Sequence, residues 1–413
     1  MVEKDLSIIL ILGGSYAGIS TAHYLLKYVI PKLPDPSSYK VVLISASSQG
    51  ICRPACPRAI ISEDMFPQDK FFVSIPPLFE HYPEGRFRFI HGKATDLDHE
   101  KRTLSYYPSE DNTTESISFH TLIIATGAST ASPLFSLNQS DAESLKKTWA
   151  TFRASLPTAK SIVIAGGGPT AVETAGELAE YLNGGPGWSS WFGCKNTNPK
   201  VPITLVTSAP EILPVLRPSI AHQAEDALGR IGVSVIKGVR VAEVTPAQTP
   251  ETLASSPVTV KLEDGRTLEA DIYIPAVGTT PNTSFVREEL LSPSKGVEIN
   301  TSTFRVEKAG ERVYAIGDVV TDIRASILNL AAGTPVLCAN IKRDLLIAAG
   351  ETSAGEDQVY KEDKRETQVV PIGRGAGVGA AMGFQMPGFI VRIIKGRDYF
   401  LGMLSPYWTG TQF

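Results

Sequence analysis

The chain has 413 residues, of which 43% are hydrophobic and 20% charged, with a formal net charge of -4. That length leaves room for roughly two to three domains and a large core, and that charge balance makes no case for nucleic acid or an acidic surface as the partner. Four cysteines, Cys52, Cys56, Cys194 and Cys338, are too scattered for a disulfide framework or a zinc knuckle, and the six histidines show no ligand spacing; no metal is expected, and a reducing compartment fits.

The opening MVEKDLSIILILGG has no cationic leader, and its apolar run is too short to cross a bilayer, so it predicts a first strand over 6–12. Val2 offers no myristoyl acceptor, and TGTQF is neither a prenylation nor a peroxisomal signal. The expected address is the cytosol, with peripheral membrane contact left open. Next comes GGSYAG (13–18), then a helix over 16–30 with Ala17, Ile19, Ala22, Leu25 and Leu26 at helical spacing. The apolar run KVVLIS (40–45) completes a βαβ unit of the length a Rossmann crossover needs. The unit recurs downstream as KSIVIAGGGPTAVETAGELAEYL (160–182) followed by PITLVTS.

HTLIIATGAS (120–129) and ADIYIPAVGTTPN (270–282) read as strands with small-residue endings, paired where the chain crosses between domains. ERVYAIGDVV (311–320) supplies one more strand, stopped by Gly317 and Asp318, ahead of a helix over 323–348. The polar stretch 352–367 reads as a loop, and from 368 the composition turns apolar, glycine-rich and aromatic. The expectation is an α/β protein with two three-layer, Rossmann-like dinucleotide-binding domains. The first is split over 1–130 and 278–365, the second is inserted over 131–277, and a small C-terminal region covers 366–413.

The second turn keeps Gly166, Gly168 and the small Ala171 around Pro169 and Thr170, the pattern that seats a pyrophosphate on a helix N-terminus. In the first turn Gly13, Gly14 and Gly18 are in place, while Ser15 stands where the middle glycine belongs, beside Tyr16 and Ala17. Its hydroxyl is small enough to leave binding intact. The structural alternative, a glycine-rich turn with no ligand, weakens when two turns occur in the same strand-turn-helix context. Neither second strand ends in the acid that meets a ribose, since Ser45 and Thr207-Ser208 occupy those places. NADH and NADPH therefore both remain candidates, with Arg217 the nearest downstream arginine.

Asp318 ends a strand at its carboxyl edge, where it can accept bonds from a ribityl chain or cap the next helix. Glu173 falls in the first turn of the second helix, favoured there by the helix dipole or by contact with a nicotinamide. Arg58 is a fixed cation suited to a pyrophosphate. Cys52 and Cys56 are separated by three residues, Pro54 among them, which fits ordinary thiols better than a reactive pair. The C-terminal aromatic stretch suits a quinone site, a core or a dimer face, and Lys395 within IIKGRDYF reads by itself as part of an exposed turn.

Taken in order, GGSYAG, PRAI (57–60), ATG (125–127), GGGPTAVETAGEL, VGTTPN, AIGD and the tail PIGRGAGVGAAMGF…VRIIKGRDYF resemble the apoptosis-inducing-factor-like flavin oxidoreductases. The likeness is greatest to the ferroptosis-suppressor branch, with type II NADH dehydrogenases more distant, and it spans nearly the whole chain. The resemblance implies FAD in the split domain, held by Gly13–Gly18, Ser45, Arg58, Lys93, Thr126, Gly127, Gly317 and Asp318. It implies NADH or NADPH in the inserted domain, faced by Gly166–Ala171, Glu173 and Gly278, with Lys395 near the flavin and the acceptor. Glu173 and Lys395 are the expected catalytic positions, acting through orientation and electrostatics. The implied activity passes hydride from NAD(P)H to flavin and electrons on to a quinone-like acceptor. The alternatives are a disulfide or peroxide reductase using Cys52 and Cys56, a non-catalytic flavoprotein sensing NAD(P)H, and a tailoring enzyme of specialised metabolism. Ser15, Ser45, Val2 and the insertion 183–199 depart from the family pattern.

Overall fold

The computed structural model describes residues 6–66, 68–109, 113–184, 195–247 and 257–413. Cys194 and most of the 183–199 insertion lie outside the described residues.

The first sheet is built on Ser7–Leu12, whose apolar run is flanked on one side by Tyr39–Ser45 and Phe87–Asp98 and on the other by Thr121–Ile124 and Val313–Ala315, all parallel. Thr103–Pro108 and Glu115–Ser118 extend it antiparallel at the far edge. Ile9–Leu12 and Leu122–Ile124 are fully buried, as a parallel sheet covered on both faces requires. Strand order reverses at Ser7–Leu12, so the chain ends leaving Leu12 and Ile124 diverge and open a crevice.

The second sheet repeats the plan with Ile162–Ala165 at the switch, joined by Ile203–Val206 and Val233–Ile236 on one side and by Ile272–Pro275 on the other. Its strands come from between those of the first sheet in the chain. The expected crossings pair: Ala128–Thr130 runs antiparallel to Thr279–Pro281.

Two predicted helices differ in detail. The helix expected over 16–30 is α-helical over Tyr16–Tyr24, then widens through Leu25–Val29 and tightens at Ile30–Lys32, where Pro31 has no amide hydrogen to give. The later helix starts at Ile327, because Ser326 caps it by accepting from the Asn329 amide at 3.0 Å. The polar segment 352–367 holds no helix or strand, yet it is pinned through Asp357 to Arg305 and through the Tyr360 amide to the Ser302 carbonyl.

The C-terminal region is a three-stranded sheet (Gln368–Ile372, Ala376–Ala381, Phe384–Gln385) followed by short helices. It packs on the helix Pro169–Asn183 through Gly176, where a Cβ would lie 3.0 Å from Ile372 Cα. Its last helix, Leu401–Thr409, returns to Tyr16–Tyr24: the Trp408 ring lies 4.1 Å from that of Tyr16, and His23 Nε2 is 2.9 Å from the Trp408 carbonyl. Burial against this segment pushes the His23 imidazole down to about 4.

Candidate active site

The two glycine turns are built alike. Gly13 N donates to the Ile44 carbonyl at 2.8 Å, and Gly166 N donates to the Val206 carbonyl at 2.7 Å. Both glycines lie at positive φ, and a Cβ would sit 2.2 Å from the Ala125 carbonyl oxygen at Gly13 and 2.1 Å from that of Ala276 at Gly166. No other residue fits there without moving the neighbouring strand. Under each turn stands a hydroxyl residue: Ser45 Oγ would lie 2.6 Å from a Cβ on Gly14, and Thr207 Oγ1 2.4 Å from one on Gly167. Gly18 and Ala171 pack inward behind the turns.

A cleft of about 630 Å³ opens over the first turn. Of the residues expected to hold a flavin nucleotide, Gly13, Gly14, Ser15, Tyr16, Ala17, Ser45, Lys93, Thr126, Gly127, Gly317 and Asp318 line it. Ser15 is exposed at the helix start with extended φ, and its hydroxyl makes no capping bond, so it faces the cleft unspent. Asp318 Oδ2 accepts from Arg53 at 3.2 Å, and the same guanidinium bonds the Ala128 carbonyl.

The second cavity, about 740 Å³, lies over Gly166, Gly167 and Gly168 and reaches Gly278. Nothing stands within 4 Å of a Cβ built on Gly168, so the backbone there is open to a ligand. Arg53, Pro169, Thr170 and Thr279 line both spaces, so they meet.

At that junction the helix Pro169–Asn183 carries Glu173 and Glu177 one turn apart. Glu173 is buried, and its Oε1 accepts from Lys395 Nζ at 2.5 Å; both residues line the first cleft. Burial lifts the Glu173 carboxyl to about 7 while the lysine ammonium pulls against that rise. Lys395 also donates to the Val369 carbonyl at 3.3 Å. The two positions expected to be catalytic, 222 residues apart in the chain, therefore form one ion pair in the wall of the first cleft, one helical turn beyond the shared Pro169 and Thr170.

Arg58 is placed differently from the expectation. It is buried away from the cleft, gripping Glu177 with two bonds of 2.9 and 2.7 Å and the carbonyls of Gly396 and Arg397 at 2.8 and 3.1 Å. All its donating nitrogens are committed to protein acceptors, so it is not the cation that meets a pyrophosphate. The cleft arginine on that segment is Arg53, which the sequence reading passed over. Also missed was Asn282, which clamps the crossing strands by donating to the Thr126 carbonyl at 2.9 Å and accepting from Ser129 Oγ at 2.7 Å. Its asparagine in VGTTPN was the available signal.

The pattern of the pyridine nucleotide-disulphide oxidoreductases matches residues 7–336. The chain belongs to that family. Among curated relatives, this pyridine nucleotide-disulphide oxidoreductase is 56% identical to oxidoreductase phnG of Penicillium herquei, covering 97% of this chain and 96% of that protein. It is 24% identical to human ferroptosis suppressor protein 1, covering 97% and 95% of the two chains, and the apoptosis-inducing-factor-like resemblance holds. Among solved structures, the sulfide:quinone oxidoreductase of Aquifex aeolicus superposes with a TM-score of 0.68 at 18% identity, over 98% of this chain and 92% of that one, which bears out the two-domain fold.

The family name does not make Cys52 and Cys56 a redox pair. Both are buried free thiols. Burial pushes Cys52 up to about 11 and Cys56 higher still, so neither presents a thiolate near neutrality.

Proposed function

We propose that the chain is an FAD-dependent NAD(P)H oxidoreductase that delivers electrons to a quinone-like acceptor. The observation that carries this reading is the meeting of two glycine-turn cavities at Pro169 and Thr170, with the Glu173–Lys395 pair in the wall of the first. The residues present fit the nucleotides: the backbone of Gly13–Ala17 would hold the FAD pyrophosphate and Asp318 its ribityl chain, while Gly166–Thr170 would hold NAD(P)H on the open backbone at Gly168. When bound, FAD supplies the two-electron chemistry between nicotinamide and acceptor, which no side chain here provides.

The chain's own residues bind, orient and manage a proton. Lys395 fixes the Glu173 carboxyl through Oε1, and Oε2 makes no hydrogen bond among the described residues. With its ionisation near 7, Glu173 holds a proton at Oε2 for an acceptor oxygen in the cleft. Phe389 and Ile393, exposed on the C-terminal segment that carries Lys395, suit an apolar acceptor. Support for a quinone comes from the Aquifex neighbour, a sulfide:quinone oxidoreductase of the same fold.

An anaerobic titration tests the reading: the purified protein should be yellow, bleach with NADH or NADPH, and recover its absorbance on adding a quinone. A protein that stays colourless and takes up no FAD overturns it, and slow bleaching without turnover favours a sensor. Cys52→Ala with Cys56→Ala should leave NAD(P)H-to-quinone turnover unchanged, because the thiols are buried and protonated. Collapse of turnover in the folded double variant would restore the disulfide reductase.

A further inference from the structure

We propose that the second cavity is built for an adenosine ribose carrying a 2'-phosphate, so that NADPH is the nicotinamide nucleotide it takes. The inference rests on the placing of NAD(P)H in that cavity. In a parallel α/β sheet the end of the second strand meets the ribose, where a carboxylate bonds the 2'-hydroxyl and repels a 2'-phosphate, while an arginine accepts the phosphate.

Here the second strand is Ile203–Val206, and Thr207 and Ser208 follow it. Thr207 is used by the fold, its Oγ1 accepting from the Ala209 amide at 3.2 Å beneath Gly167. Ser208 is exposed, lines the cavity, and its hydroxyl bonds to nothing among the described residues. On the same wall stands Arg240, exposed, its backbone fixed by the Glu263 amide on its carbonyl at 3.0 Å. Its guanidinium has no hydrogen bond or ion pair among the described residues.

No aspartate or glutamate is among the described residues that line this cavity. Glu211, in the loop after Ser208, is turned to Lys237 at 3.0 Å and His222 at 3.2 Å. Arg217, the arginine expected from the sequence, is held by Glu366 at 2.6 Å and stands outside the lining. Arg53, the other lining cation, is paired with Asp318. Arg240 is thus the lining cation left without a carboxylate among the described residues; it shares the cavity wall with Ser208, and the residues before each are joined by the Val239 amide donating to the Thr207 carbonyl at 3.2 Å. A planar guanidinium and a hydroxyl are a suitable set of donors for a phosphate dianion.

The test is calorimetric titration of the full-length protein with 2',5'-ADP and 5'-AMP, and with NADP+ and NAD+. These probes report binding without flavin turnover. The 2'-phosphorylated member of each pair should bind about tenfold or more tightly at low salt, with the advantage shrinking as ionic strength rises. Arg240→Gln should remove most of that advantage and leave NAD+ binding in place, and Ser208→Asp should reverse the preference. Equal affinity of the unaltered protein for both members of each pair overturns the 2'-phosphate site while the two-cofactor reading stands. Failure to bind any of the four overturns both. An advantage that survives Arg240→Gln overturns the assignment of Arg240.

Discussion

Replacing Glu173 with glutamine should slow acceptor reduction by about two orders of magnitude, the usual size of a lost proton donor, and should erase an ionisation near pH 7 from its pH profile. The sign follows from the geometry. Burial raises the carboxyl from its ordinary 4.5 to about 7, so below pH 7 it carries a proton and above pH 7 it does not. Acceptor reduction that draws on this proton is fast in acid and falls as pH passes 7. Lys395→Met removes the cation that opposes the rise, so the ionisation should move to higher pH and the alkaline fall with it. The two variants thus displace the profile in different ways, which a merely structural role would not do. A limb that persists in Glu173→Gln, or stays fixed in Lys395→Met, removes Glu173 as the proton carrier. Stability carries the same sign. A raised carboxyl contributes fully below its ordinary 4.5, and that contribution is lost as pH rises through 7. Between those values the unaltered enzyme should therefore lose stability that Glu173→Gln keeps.

What the sequence made legible is what backbone sterics dictate locally. A glycine needed at positive φ between an apolar strand and a helix leaves a signature within six residues, and both turns carried it. Ser15 was tolerable for a local reason too, since its position has an extended φ that any residue adopts. The paired crossings were visible as two strands with small-residue endings, and the hydroxyls at Ser45 and Thr207 as missing acids. Side-chain partners across long separations were not legible. Arg53, Pro54 and Pro57 line the cleft from a short helical segment, whereas the next residue, Arg58, is outside that lining and bonds to Glu177 and the Gly396 carbonyl. Spacing alone could not say which arginine faced the ligand, because that depends on how Cys56–Ala59 docks. Lys395 read by itself as an exposed turn; the resemblance, and not its neighbours in the sequence, placed it near the flavin. Arg240 gave no signal, since its importance comes from what fails to pair with it.

The Arg58–Glu177 pair makes the second large prediction, one of stability. Arg58→Met should destabilise the protein by about 3–5 kcal/mol, because it strands a buried carboxylate. Both side chains are almost completely shielded, Arg58 at 4% and Glu177 at 3% exposure. Around them three distant segments converge: the helix Cys56–Ala59, the helix Pro169–Asn183, and the C-terminal turn whose Gly396 and Arg397 carbonyls accept from the guanidinium. Tyr399 closes the cluster, its hydroxyl donating to Glu177 at 3.0 Å and its ring lying 4.7 Å from the guanidinium carbon. Among the described residues, removing Arg58 leaves Glu177 with the Tyr399 hydroxyl as its donor and no ion-pair partner, whereas adding Glu177→Gln removes the stranded charge as well. Chemical denaturation should therefore show the double variant regaining much of what Arg58→Met loses, a coupling readable as a double-mutant cycle. The pair sits one helical turn from Glu173, so loosening it should also loosen the seat of Lys395. FAD retention separates this role from the one expected of a phosphate-binding arginine. The folded fraction of Arg58→Met should keep FAD as tightly as the unaltered protein, and loss of FAD from a variant that remains folded would return Arg58 to the cofactor.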